Sequence, residues 1–182
     1  MSNLLELKDE NENPTTYNTD IDHEPDPEES ARVKGGANWF YWIAGLSLIN
    51  SVIFASGGNL SFVAGLGFTQ LAEAIIELSI QQGAPAALKA VAIIFSIIFV
   101  VIFALVGYFA NKRFASAFMI GIVVYVVDAV VLLALGELLS AGFHAFALFF
   151  IIRGFLACRK LNAFDANSMK QISEVPPPPS FG

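Results

Sequence analysis

Four long apolar runs, at about 37–56, 88–110, 114–136 and 139–158, constrain this chain more than any other feature. Each holds 20 to 23 residues, and about 20 helical residues cross a hydrocarbon core of roughly 30 Å. Leu, Ile, Val, Phe and Ala fill the runs, and proline interrupts none of them. Only 14% of the 182 residues are charged, against roughly 25% in soluble domains, so a soluble fold would lack polar side chains for its surface. The expected fold is an all-α integral membrane protein. It is a four-transmembrane-helix bundle with an additional amphipathic or re-entrant helix between the first and second spans, and with disordered termini.

The net charge of −6 is unevenly placed. Residues 1–34 carry 10 acids and 3 bases, residues 35–158 carry 4 of each, and residues 159–182 carry 2 acids and 3 bases. The acidity therefore belongs to one tail. Residues 1–34 are rich in Asn, Asp, Glu, Pro and Thr and cannot bury enough apolar surface to offset chain entropy, so a disordered cytoplasmic tail is expected. They lack the basic start and apolar core of a signal peptide, which leaves the first internal run to direct insertion. A second cytoplasmic tail is expected over 159–182, where Pro176 to Pro179 favour polyproline II.

The stretch 60–81 is long enough to span, yet Gln70, Glu73, Glu77 and Gln81 form one polar stripe at helical spacing. Apolar residues cover most of its remaining circumference, the pattern of an amphipathic helix at an interface or against a bundle. Gly57, Gly58, Gly65 and Gly67 before it suit a bent approach. Basic residues decide whether it crosses. If it does not, Arg32, Lys34, Lys112, Arg113, Arg159 and Lys160 share the cytoplasmic side and Lys89 alone lies outside. A fifth crossing would place three bases inside against four outside, so four spans with both termini cytoplasmic are expected.

Ionisable groups within spans are costly, about 2.5–3.5 kcal/mol or more at the centre. Arg153 lies near the cytoplasmic end of the last run, where its long side chain can reach the surface. Asp128 and His144 lie deeper, each 14 residues from the cytoplasmic end of its run. At about 1.5 Å per residue they share one height, and Asn50 and Ser96 fall close to it. Asn50, Ser96, Asp128 and His144 thus form a candidate intramembrane polar layer, serving as bundle glue or as a proton or ion relay. Glu73 and Glu77 alone are a poor metal site, with no His or Cys near them, and no metal or cofactor is expected. Ser47, Ser51 and Ala55, and Ala117 with Gly121, give helix faces small enough for close approach.

Other chemistries find little footing. The lone Cys158 excludes an intrachain disulfide and a cysteine zinc cluster. There is no phosphate-binding glycine loop ending in Lys, no His-Glu-x-x-His and no basic aromatic patch for nucleic acid. The Asn59-Leu60-Ser61 glycosylation pattern lies too close to a helix end to weigh much. The reading is of a non-enzymatic membrane scaffold or accessory subunit. Its expected partners are the bilayer, a further membrane protein or copy of itself, and cytoplasmic proteins that meet the tails. The alternative is a small transporter or channel component built on the Asp128/His144 layer.

Overall fold

The computed structural model describes residues 26–58 and 65–174, which are all-helical apart from the connections. In chain order the helices are α1 (Pro27–Ala55), α2 (Gly67–Gln81), α3 (Leu88–Asn111), α4 (Ala115–Ala134) and α5 (Leu138–Glu174). All except α2 are long and apolar enough to cross a membrane, as the four runs require. The expected disorder of 1–25, the Pro176–Pro179 segment and Asn59 to Ala64 lie outside the described residues.

Two boundaries differ from the composition-based reading. Helix α1 begins at Pro27, so 27–34 are helical and not tail. The Asp26 carboxylate accepts from the Glu28 amide at 2.9 Å, Pro27 occupies the first turn, and Glu28 and Glu29 add negative charge there. These are the residues that start helices. At the other end α5 runs unbroken past Cys158 to Glu174, 37 residues in all, so 159–174 are helical too. The extensions hold each other: Lys160 donates to Glu29 at 2.8 Å, and Glu29 also meets Arg32 at 3.4 Å.

The α5 extension also supports the α3–α4 turn. Arg113 stands there in the left-handed region at φ 65°, which costs a non-glycine residue free energy unless its surroundings fix it. Cys158 Sγ and Asn162 Nδ2 both donate to its carbonyl at 3.1 Å, and its guanidinium pairs with Asp165 at 2.8 Å. Cys158 is therefore a buried packing residue with a hydrogen-bonding task. At the opposite end Gly136, at φ 82°, turns the chain sharply between α4 and α5.

Helix α1 is the centre of the bundle and packs against α3 on one side and α5 on the other. The α1–α5 crossing is made by backbone. A Cβ placed on Gly36 would stand 2.7 Å from the Gly154 Cα, and one on Gly154 would stand 2.8 Å from the Gly36 Cα. Gly121 of α4 makes room for the Phe40 ring, and Phe40, Phe103, Phe118 and Tyr125 interlock as the aromatic core of the half nearer the chain termini. Ile94, Ile98, Val101 and Leu105 of α3, with Val123 and Val130 of α4, point outward. That surface suits lipid.

Candidate functional site

Helix α2 starts inside the bundle. Ser47, eight residues before the end of α1 and so about 12 Å down its axis, accepts from the Leu66 amide at 2.8 Å. Helix α1 ends at one end of the bundle, and α2 starts below that end and runs back towards it. Gly65 and Gly67 permit this arrangement: a Cβ on Gly65 would meet Asn50 at 2.5 Å, and one on Gly67 would press into Leu132.

An α-helix exposes unpaired N–H groups at its start, and Leu66 at the N-cap position of α2 has no side chain to accept them. The acceptor comes from α4. Asp128 takes the Gly67 amide on Oδ2 and the Phe68 amide on Oδ1, both at 2.8 Å, across about 60 residues of sequence. The carboxylate also faces the positive end of the α2 dipole. Asp128 is 0% exposed, and these contacts are what make its burial tolerable.

His144 of α5 completes the joint. Its Nδ1 lies 2.7 Å from the Ser140 carbonyl, which can only accept, so Nδ1 carries a hydrogen. Its Nε2 lies 2.9 Å from Asp128 Oδ2. Tyr125 stacks on the imidazole at a centroid distance of 4.2 Å, shielding it from the side of the aromatic core. The four-residue polar layer is thus resolved into parts. Asp128 and His144 meet directly, as their equal heights require. Ser96 does not join them; it belongs to a second cluster with Glu73.

Glu73 sets part of the α2 polar stripe against the bundle. It is only 6% exposed, and its Oε1 accepts from Ser51 of α1 and Ser96 of α3, each at 2.8 Å. The polar face of α2 therefore looks into the bundle, with its first turn held by α1 and α4 and its second by α1 and α3. Gln70, Glu73 and Glu77 line a cavity of about 520 Å³, whereas Gln81 is exposed beyond it. Asn50, Phe54, Lys89, Glu137 and Ser140 line other walls. The cavity lies where α1 and α4 end and α3 and α5 begin.

Sequence reasoning took Ser47 and Ser51 only as small packing residues and passed over Tyr125. The signal for the serines was present: Ser47, Asn50 and Ser51 share one face of an otherwise apolar helix, and polar side chains in a span seek partners. Nothing marked Tyr125 as the ring that covers His144. No protein-family profile, curated protein or solved structure matches the chain. The site must be read from its own chemistry.

Proposed function

We propose that the protein is a non-enzymatic membrane accessory or scaffold module whose re-entrant helix α2 is latched from within by Asp128 and His144. One observation carries this reading: each oxygen of Asp128 and each ring nitrogen of His144 already has a partner inside the bundle. Both Asp128 oxygens hold α2 amides, and both His144 nitrogens are engaged. Such saturation suits a joint that fixes a helix more than a group that exchanges protons. In this reading both termini face the cytoplasm, following the basic residues, and α2 returns to the outer face without crossing.

Affinity capture from native membranes after crosslinking tests the role. Because α1 is capped by Asp26 and α5 is described to Glu174, removal of residues 1–25 or 175–182 leaves the described helices whole. A scaffold loses its partners on one of these removals. A transporter component keeps its partners and shows a flux in proteoliposomes that Asp128→Asn abolishes, and that result refutes the accessory reading.

Orientation has its own test. Cys158→Ser retains a donor for the Arg113 carbonyl and gives a cysteine-free background. A cysteine at Gln81 should then react with an impermeant thiol reagent added outside intact cells, and one at Lys112 should not. The reverse pattern contradicts the four-span arrangement.

A further inference from the structure

The cavity above the latch has a chemistry that the latch does not use. Its described lining contains three carboxylates, Glu73, Glu77 and Glu137, against one base, Lys89, a formal charge of −2. Glu73 is the telling member. Its Oε1 holds both serines, and the residue lines the cavity. A carboxylate so deeply buried is costly unless donors or a cation offset its charge, and the two serines supply no charge.

The shape of the charge indicates what kind of cation. Among the described residues, no three His, Cys, Asp or Glu side chains gather closely enough to hold a metal ion. Glu73 and Glu77 stand one turn apart on α2, and Glu137 lies on the opposite wall at the α4–α5 turn. Phe54, Leu71 and Leu132 line the same cavity. Spread carboxylates around an apolar and aromatic wall fit an organic cation better than a bare ion. The protein already places an ammonium there: Lys89 Nζ sits 4.9 Å from the Phe54 centroid, and Lys89 makes no salt bridge among the described residues.

We infer that this cavity binds an organic ammonium ion, with Glu73, Glu77 and Glu137 as counter-charges and Phe54 as the aromatic wall. Lys89 acts as a built-in competitor that the ligand displaces from the ring. A free amine and the ammonium headgroup of a lipid share this chemistry. The inference needs neither the accessory role nor the assigned orientation.

Isothermal calorimetry on the purified full chain in detergent tests it with methylammonium, tetramethylammonium and 1,5-diaminopentane. A parallel arm compares nanodiscs with and without phosphatidylethanolamine by footprinting of Lys89. Saturable binding of a soluble amine, or increased labelling of Lys89 only with the amine lipid, supports the site and names its source. Glu77→Gln and Glu137→Gln should each weaken binding roughly five- to tenfold, and Lys89→Met should tighten it by a similar factor. A misfolded variant does not bind more tightly, so Lys89→Met separates a lost site from a lost fold. No saturable binding in either arm, no gain on Lys89→Met, or calcium binding in preference to every amine overturns the inference.

Discussion

Asp128→Leu should destabilise the bundle by about 3–5 kcal/mol, among the largest losses available to a single substitution in this chain. Leucine nearly fills the same space, so the loss is not one of packing. It removes the acceptor from the Gly67 and Phe68 amides and the partner of His144 Nε2 at once, and each buried group left unpaired costs about 1–3 kcal/mol. Asp128→Asn keeps one acceptor oxygen and should cost less, about 1–2 kcal/mol. Equilibrium unfolding in mixed micelles measures both. A loss below 1 kcal/mol for Asp128→Leu would mean that α2 does not depend on this carboxylate.

Gly154→Leu should disrupt the α1–α5 interface by about 3 kcal/mol or prevent folding altogether. Overpacking usually costs 1–3 kcal/mol because neighbouring side chains rotate away. Here the obstacle is backbone: the new Cβ would stand 2.8 Å from the Gly36 Cα and 3.1 Å from the Arg32 carbonyl, and neither can rotate. Only separation of the helices relieves the clash, which also pulls on the Lys160–Glu29 pair beyond the crossing. Gly142→Leu is the matched control in the same helix, since nothing lies within 4 Å of a Cβ there. It should be neutral or slightly stabilising, because glycine is a poor helix former. Equal effects at both positions would show that close approach does not govern the site.

The fold was legible where a physical requirement leaves few solutions. A run of 20 or more apolar residues has one economical structure in a bilayer, so the spans could be placed from composition and length. The helix ends could not, because a helix that leaves the membrane becomes polar and then resembles a tail. At the start of α1 the capping residues Asp26 and Pro27 were visible but outweighed by the acidic surroundings. Along 159–174 only tertiary pairs, such as Arg113 with Asp165, mark the continuation.

The site was half legible for a similar reason. Rise per residue along two helices joined by a tight turn equates the heights of Asp128 and His144, and they meet. That arithmetic says nothing of a segment that dips between them. The destination of Asp128 depends on how deep in the bundle α2 starts, and only the uncapped Leu66 hinted that an acceptor had to come from elsewhere. Nor does a polar stripe at helical spacing reveal whether it faces water or a neighbouring helix. For Glu73 the deciding partners, Ser51 and Ser96, lie 22 and 23 residues away on two other helices.

The central claim is that Asp128 holds the start of α2 inside the bundle. Amide hydrogen exchange of Gly67 and Phe68, followed by NMR in micelles, tests it most directly. Both amides should be strongly protected in the unmodified protein. In Asp128→Asn, which keeps one acceptor oxygen, at least one of the two should exchange at least tenfold faster, corresponding to about 1.4 kcal/mol, while the centres of α3 and α4 stay protected. Rapid exchange at Gly67 and Phe68 in the unmodified protein, or protection there that Asp128→Asn leaves unchanged, would contradict the claim.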